Sequence, residues 1–343
     1  MEKNLSIIIP VYNGEKYIGT ALSSLVDAKN FLKEVIIGCD HCTDGTKSVA
    51  EKFAETLPIK IVDVALDLPN GPGNARQAGL DVATGEWVGF LDVDDVIPTG
   101  TVQAVAHTID EVEKKVAEAK IEIPMIIGNF TERNGLTGET GFVHKNDSTW
   151  VHGKWYNRKF LVDKNIRFDT ELYTHEDVYF NNLVVSHIIG CGGSYCTMDQ
   201  NTYFWNQNIG SMTSSPRYTE ENFADYAFSV MEAGLAMREK YPAKKSEYLK
   251  ILLNNYCLMY LYYMNFLYYH PEDINPEIKN IMNDYYQRIC NTYNAKTGDI
   301  WAYYKNMVAQ YPAWKENVAR SYRPFFEKWT LEDFLFDKVW VGD

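Results

Sequence analysis

Short apolar runs alternate with helix-like patterns along the N-terminal part of the chain. Residues 5–9 are mostly β-branched and are followed by Pro10, a pattern typical of a buried parallel strand. After Asn13 and Gly14 the apolar residues recur at helical spacing. These residues are Tyr17, Ile18, Ala21, Leu22 and Leu25. The first unit is therefore predicted to be a strand, a loop and a helix.

A second unit of the same kind follows. Residues 35–38 predict a strand, and a helix is predicted from about Thr46, with Val49 and Phe53 facing inward. Asp44 stands where the N-cap of that helix is expected. The repeat of strand, loop and helix favours an α/β fold over an all-helical or all-β one.

A third unit leads to a fourth strand. Residues 59–64 predict a strand, residues 69–73 an irregular loop, residues 75–82 a helix and residues 87–91 another strand. Such alternation predicts a parallel, doubly wound sheet, whose ligands bind outside the carboxyl ends of the strands.

Three acidic residues come directly after the fourth strand: Asp92, Asp94 and Asp95. If the strand continued, Asp92 and Asp94 would point the same way and their carboxylates would converge. Like charges so close favour a bound cation, and carboxylate oxygens suit Mg²⁺ or Mn²⁺. The alternative is a solvated acidic turn.

Several ordered motifs resemble those of family 2 glycosyltransferases, which have the GT-A fold. The motifs are SIIIPVYN over residues 6–13, DHCTDGT over 40–46, GNARQAG over 73–79 with GEWV over 85–88, and FLDVDD over 90–95. Two further blocks are ELYTHEDVYF over residues 171–180 and YFWNQNIGSMT over 203–213, the latter similar to bacterial polysaccharide-building members. The resemblance implies a GT-A catalytic domain, with a mixed sheet flanked by helices, followed by a C-terminal helical region.

The resemblance also implies a donor site for a nucleotide-diphosphate sugar, most often a UDP-sugar. The expected donor-binding residues are Pro10, Val11, Tyr12, Asn13, Asp40, Arg76, Asp92 and Asp94, and the expected Mn²⁺ or Mg²⁺ ligands are Asp94 and Asp95. An aromatic ring such as Tyr12 can stack on a base, and the guanidinium fork of Arg76 matches phosphate oxygens.

By the same resemblance, Asp177 is the general base that deprotonates an acceptor hydroxyl, with Glu176 positioning or tuning it. Direct attack would invert the anomeric configuration. The alternative is an acidic first turn of a helix over residues 177–185, which the helix dipole favours.

The acceptor side is expected around the segment HGKWYNR, residues 152–158. Trp155, Tyr156 and Trp205 are candidates for stacking on the sugars of a glycan or lipid-linked acceptor, and His175 for shaping the site. Packing in the core is the alternative for these aromatic residues.

One loop departs from the pattern of the family. Cys39 and Cys42 form a Cys-x-x-Cys sequence at a predicted strand end, where relatives have a motif close to Asp-Asp-Gly-Ser. Such a sequence also allows a redox pair or half of a zinc site. We favour two small thiols filling a tight loop, because no second cysteine pair has ligand spacing.

Composition and charge narrow the class of protein. The 343 residues carry a net charge of −13, which disfavours nucleic acid and anionic lipid as partners. The first strand begins almost at Met1, without a signal-peptide pattern, so a cytoplasmic enzyme is expected. The expected domains are residues 1–214, divided near residue 100 into donor and acceptor halves, and residues 215–343.

The C-terminal part is rich in tyrosine and helical in pattern. Residues 251–269 carry no formal charge, yet three asparagines and six tyrosines make a membrane span costly. A buried or dimer-forming helix is favoured, followed by peripheral contact with a membrane.

Alternative functions for the whole chain are a sugar-phosphate nucleotidyltransferase and a non-catalytic carbohydrate-binding scaffold.

Overall fold

The fold is known from a computed structural model, which describes residues 4–208 and 220–252 and, further on, residues 280, 284, 287, 288 and 291. Residues 220–228 are described by their helical backbone alone. The chain divides into two compact units, Met1–Tyr218 and Thr219–Asp343. The functional division at residues 100 and 214 stays a prediction.

An eight-stranded sheet forms the centre of the first unit. Its strands are β1 (Leu5–Val11), β2 (Leu32–Cys39), β3 (Ile59–Asp63), β4 (Trp87–Phe90), β5 (Met125–Asn134), β6 (Thr140–His144), β7 (Lys154–Asn157) and β8 (Cys196–Gln207). The strand order is β3-β2-β1-β4-β7-β5-β6, with β8 paired to β5. The first four strands are parallel, whereas β7 runs antiparallel to β4 and β5. The mixed sheet expected from the family resemblance is thus confirmed.

The helices of the first unit follow the predicted cycle closely. They are α1 (Glu15–Ser23), α2 (Thr46–Glu51), α3 (Pro72–Val82), α4 (Thr101–Ala119), α5 (Arg158–Lys164) and α6 (Glu176–Gly190). Helix α2 ends before Phe53, because the chain tightens into a turn in which Phe53 N donates to Ala50 O at 3.0 Å. Asp44 lies one residue before the N-cap, Gly45, and accepts hydrogen bonds from the backbone N–H groups of Thr46 and Glu15.

The apolar run of β1 is buried on both faces. Ile7, Ile8 and Ile9 are each 0% exposed. Strands covered on both sides show continuous rather than alternating hydrophobicity, as the sequence does here. Helix α3 lies so close to β1 that a Cβ on Gly79 would come within 2.5 Å of Ile8 Cγ2. This close contact fixes the position of α3, and with it Arg76, above the sheet.

Strand β5 extends well beyond its apolar residues. It spans Met125–Asn134, whereas the apolar run of the sequence covers residues 123–127. Its polar second half is stabilised by parallel pairing with β8 and antiparallel pairing with β6. Because β8 lies far from β5 along the chain, local hydrophobicity does not indicate that the polar second half of β5 forms a strand.

The second unit is helical over its described part. Helix α7 (Glu220–Lys240) is followed by a 3₁₀ turn at Pro242–Lys244 and helical residues 245–252. The uncharged segment predicted as a buried or interfacial helix lies outside the described residues from position 253 onward. Within the described parts of the chain, no helix combines the length and the apolar character needed to cross a membrane.

Candidate active site

An acidic turn follows β4. The strand ends at Phe90, and Asp95 N donates to Asp92 O at 3.0 Å, which closes a turn over residues 92–95. The strand geometry predicted for Asp92 and Asp94 is therefore wrong, since alternation along a strand does not apply within a turn. The turn instead brings together the carboxylates three positions apart: those of Asp92 and Asp95 belong to one cluster, together with His152.

The end of β8 holds this turn in place. Asp95 is 1% exposed and accepts hydrogen bonds from Tyr203 Oη at 2.6 Å and from Asn206 N at 2.7 Å. The side chain of Asn206 donates to Asp94 O at 2.6 Å, and Asn208 Nδ2 donates to Asp94 Oδ2 at 3.0 Å. Hydrogen bonds thus join two distant segments of the sequence into one polar edge.

Crowded negative charge marks the acidic turn. Burial raises the pKa of Asp95 well above its usual range, and the charges of Asp92 and Asp94 raise it further. Burial also raises the pKa of Asp94. Each shift means that the ionised carboxylate is disfavoured where it lies. A bound divalent cation would relieve that cost, so the chemistry of the site fits a metal ion.

Arg76 connects the acidic turn to α6. Its guanidinium donates through Nη2 to Asp92 Oδ1 at 2.6 Å and through Nη1 to Glu176 Oε1. Arg76 is only 4% exposed, and its Nε is buried without a hydrogen-bond partner among the residues that the structure describes. Burial opposes ionisation of Asp92, but Arg76 and then His152 hold its pKa well below the usual range. Arg76 therefore joins segments far apart in the sequence into one charged cluster.

Glu176 and Asp177 form the first turn of α6. Glu176 is 3% exposed, and burial raises its pKa to about 8 although Arg76 acts in the opposite direction. Asp177 is half-buried, and its Oδ1 accepts from Val178 N at 2.8 Å. The two acidic residues thus have different surroundings: Glu176 is enclosed by its partner, whereas Asp177 retains access to solvent.

The predicted donor residues lie at the carboxyl ends of β1 and β2. Pro10 and Val11 are buried in β1, so a ligand could meet their backbone but not their side chains. Tyr12 is 58% exposed and presents an open ring. Asn13 has a left-handed backbone with φ 48°, and its side chain accepts from Thr43 N at 2.8 Å. Asn13 therefore organises the neighbouring loop.

Asp40 lies in that neighbouring loop and is almost completely buried. One carboxylate oxygen lies 2.6 Å from His41 Nδ1, and the other accepts from Gly71 N at 2.8 Å. The loop after β2 is thereby tied to the start of α3. Carboxylate oxygens have further lone pairs, so contact between Asp40 and a nucleotide base stays a prediction.

Two of the predicted acceptor residues belong to the core. Trp155 is 2% and Tyr156 0% exposed, so neither ring has a face for a sugar, and the prediction that they stack on the acceptor is wrong. Trp155 fits against Gly89, where a Cβ would come within 2.8 Å of the indole ring. The Tyr156 hydroxyl donates to Asn181 Oδ1 at 2.7 Å, which links β7 to α6.

The other two predicted acceptor residues lie nearer the surface. His175 is the N-cap of α6 with a left-handed backbone at φ 61°, and burial lowers its pKa to about 4. Trp205 is half-buried, with ring centroids 6.3 Å from Trp150 and 5.5 Å from His152. A role for either residue in acceptor binding stays a prediction.

His152 is a site residue that the sequence did not single out. Its Nε2 lies 3.3 Å from Asp92 Oδ2, and its ring stacks on Tyr203 at 4.8 Å. Within the described part of the chain, its buried Nδ1 has no hydrogen-bond partner. Potential ligand atoms of Asp92, Asp95 and His152 all lie within 4.8 Å of one another. Asp94, predicted as a ligand with Asp95, is outside this group. Sixty positions separate His152 from Asp92, so no local spacing motif indicated the pair.

The fold and the site define an α/β domain of GT-A type, with polar residues gathered where β1, β2 and β4 end side by side. The sequence model of glycosyl transferase family 2 matches residues 6–173. Residues 6–173 of the chain thus belong to glycosyl transferase family 2.

Two relatives of the chain are bacterial proteins. The chain is 28% identical over 248 residues to the poly(ribitol-phosphate) beta-N-acetylglucosaminyltransferase TarS of Staphylococcus aureus, covering 68% of this chain and 42% of TarS. It is 28% identical over 197 residues to the minor teichoic acid biosynthesis protein GgaB of Bacillus subtilis, covering 53% of this chain and 21% of GgaB. The chain thus spans less than half the length of these relatives.

A solved structure shares the fold. The crystal structure of S. aureus TarS 1-349 in complex with UDP-GlcNAc superimposes with a TM-score of 0.67 at 22% sequence identity. The match covers 83% of this chain and 81% of that structure. At this identity the similarity establishes the architecture.

Proposed function

We propose that this chain is an inverting glycosyltransferase, which moves a sugar from a nucleotide-diphosphate donor, a UDP-sugar, to a hydroxyl of a glycan or lipid-linked acceptor. The observation that carries the proposal is the Arg76 bridge between Asp92 of the acidic turn and Glu176 at the start of α6. It holds the acidic turn, which suits a metal and a diphosphate, beside a helix end that carries a second carboxylate, Asp177.

Each part of this cluster has a chemical task in the proposed reaction. Cleavage of the bond between sugar and diphosphate leaves negative charge on the departing phosphate, and a bound Mn²⁺ or Mg²⁺ would offset it. Asp177 accepts the proton of the acceptor hydroxyl, for which its solvent access suits it better than the enclosed Glu176. Arg76 keeps Asp92 ionised and, as donor binds, offers its guanidinium to the diphosphate.

The exposed ring of Tyr12 supports the donor side of the proposal. It follows the buried end of β1 and lies beside the loop that contains Asp40. A nucleotide base stacked on Tyr12 would lie at the carboxyl end of the parallel strands, where ligands bind in open α/β sheets. The complex of TarS with UDP-GlcNAc is consistent with a UDP-sugar as donor.

We further propose that Asp92, Asp95 and His152 hold the metal ion. Carboxylate and imidazole ligands together suit Mn²⁺, while Mg²⁺ prefers oxygen ligands throughout. Asp94 instead contributes its backbone carbonyl and side chain to contacts with Asn206 and Asn208.

Calorimetric titration with UDP tests donor and metal binding together. We expect UDP to bind in Mn²⁺ and to lose most of its affinity in EDTA. His152→Asn should weaken the Mn²⁺-dependent binding about tenfold or more. The matched control is His144→Asn, since His144 belongs to the same aromatic cluster but pairs with Glu132.

Pulsed EPR tests which residues bind the metal ion. Pulsed EPR of bound Mn²⁺ should show coupling to a directly bound ¹⁴N nucleus in the wild type and in His144→Asn, but not in His152→Asn. If Asp94→Ala lost metal binding while His152→Asn kept it, Asp94 rather than His152 would be the metal ligand. Equal UDP affinity in EDTA and Mn²⁺ would contradict a metal-assisted donor site altogether.

A further inference from the structure

The cysteine pair singled out in the sequence has no task in the proposed reaction. Cys39 is the last residue of β2 and is 0% exposed, whereas Cys42 is half-buried three residues later. Cys42 Sγ donates to Val11 O at 3.3 Å, and Cys39 is paired with Val11 across the sheet. Both sulfurs therefore lie against the same residue, at the end of β1.

We propose that Cys39 and Cys42 form a thiol–disulfide exchange site that controls the donor-binding loop. Cys39 adjoins Val11 through the strand register and Cys42 adjoins it through its hydrogen bond to Val11 O, so the two thiols lie close together in the fold. The more accessible Cys42 is placed to attack an oxidant, and the buried Cys39 is placed to attack the mixed disulfide that results.

The surroundings of Cys42 favour its thiolate. The hydrogen bond from Cys39 lowers the pKa of Cys42 to about 7, and a hydrogen bond from the backbone of Asn13 acts in the same direction. Lys47 also favours the thiolate, while burial and Asp44 oppose it. A thiol whose pKa is near the ambient pH is the best attacking group in disulfide exchange.

The oxidant is a low-molecular-weight disulfide such as glutathione disulfide. The Cys42 thiolate attacks one of its sulfurs, forming a mixed disulfide and releasing the first thiolate. Cys39 then attacks the Cys42 sulfur and expels the second thiolate, which takes up the Cys39 proton. The protein loses two hydrogen atoms and two electrons, and one small disulfide becomes two thiols.

The disulfide would act on the proposed donor site through the residues it encloses. Asp40 and His41 lie between the two cysteines, and His41 has a left-handed backbone with φ 54°. Closing the bridge removes the Cys42 hydrogen bond to Val11 O, one residue before Tyr12. This consequence rests on the proposed function, whereas formation of the disulfide does not.

The test oxidises the full-length chain with glutathione disulfide and maps the products by mass spectrometry. We expect a Cys39–Cys42 disulfide in the wild type and in the control Cys191→Ser, none in Cys42→Ser, and a glutathione adduct on Cys42 in Cys39→Ser. Failure of the wild type to form this disulfide would overturn the proposal. The absence of a glutathione adduct on Cys42 in Cys39→Ser would overturn it as well.

UDP titration in Mn²⁺ then tests the effect on donor binding. The dissociation constant of the oxidised wild type should rise about tenfold and return on treatment with dithiothreitol, and that of Cys42→Ser should not respond to oxidant. Unchanged affinity in the oxidised wild type would overturn control of the loop. A reduced wild type that binds no UDP would contradict the proposed function and leave the mapped disulfide as the independent result.

Discussion

Arg76 is the residue on which the organisation of the site depends most. Both of its Nη groups are engaged, one by Asp92 and one by Glu176, and the side chain is almost fully buried. Removing one partner of a buried ion pair lowers the free energy of unfolding by several kcal/mol, because the other charge is left uncompensated. The guanidinium therefore has a structural task as well as the donor-binding task implied by the family resemblance.

Arg76→Lys separates these tasks. A lysine keeps the charge but cannot reach both carboxylates with a planar fork. We expect the dissociation constant for UDP to rise far more than that for uridine, with a loss of about 1–3 kcal/mol in the free energy of unfolding. Calorimetry with both ligands and urea denaturation would measure this. Equal losses for UDP and uridine would remove Arg76 from the diphosphate.

At the residue scale, the sequence indicated the chemistry but not the partners. Asp92, Arg76 and Glu176 were identified through family motifs, and the structure brings them together. His152, Asn206 and Asn208 lie within segments that the sequence indicated, but they were not identified individually, because their partners at the acidic turn are far away along the chain. The pairing of β8 with β5 is the non-local fact that brings Asn206 to the acidic turn.

At the scale of elements, hydrophobic periodicity predicted the parallel half of the sheet well. Strands buried on both faces appear as apolar runs, and amphipathic helices show a clear stripe. The antiparallel half was harder, since β6, β7 and the polar end of β5 acquire their structure from neighbours. Trp155 and Tyr156 illustrate the difficulty: aromatic residues near a polar motif suit sugar binding and core packing equally until the strand pairing is known.

The packing of β7 on β4 gives a stability prediction. Gly89→Ala should lower the free energy of unfolding by about 1–3 kcal/mol, because the new methyl group would collide with the Trp155 ring. Gly19→Ala is the control: a Cβ there meets only Val49 at 3.8 Å, and alanine should stabilise α1 by about 0.5–1 kcal/mol. Urea denaturation measures both. A neutral Gly89→Ala would contradict the placement of Trp155.

On the scale of the whole molecule, negative charge exceeds positive charge. The chain carries a net charge of −13, and the carboxyl groups of half-buried Asp94 and of buried Asp95 and Glu176 all have raised pKa values. An anionic donor must therefore be attracted by local cations. We propose that Arg76 and a metal ion supply that attraction.

The raised pKa of Glu176 predicts a pH dependence of stability. Its pKa is about 8 in the fold against 4.5 as the ordinary value, so between these limits the folded protein binds more protons than the unfolded one. Stability must then fall as pH rises toward 8. Glu176→Gln removes this contribution while keeping a carbonyl acceptor for Arg76.

Relative to the wild type, Glu176→Gln should gain about 1–2 kcal/mol in the free energy of unfolding between pH 6.5 and pH 9. The comparison cancels groups that both proteins share, such as His175, whose lowered pKa acts below pH 6.5. Urea denaturation in EDTA at both pH values provides the measurement. If the two proteins differed in free energy of unfolding by the same amount at both pH values, Glu176 would be ionised throughout this range.

The most direct test of sugar transfer is the turnover of Asp177→Asn. Asparagine keeps the size of the side chain but cannot accept the proton, so kcat should fall about 10²- to 10⁴-fold with donor affinity nearly unchanged. Glu171→Gln, an exposed carboxylate on the segment leading to α6, should keep wild-type turnover. Release of UDP from the UDP-sugar, with the acceptor product identified by mass spectrometry, provides the readout. A folded Asp177→Asn protein that transfers sugar at the wild-type rate would contradict the assignment of Asp177 as the base.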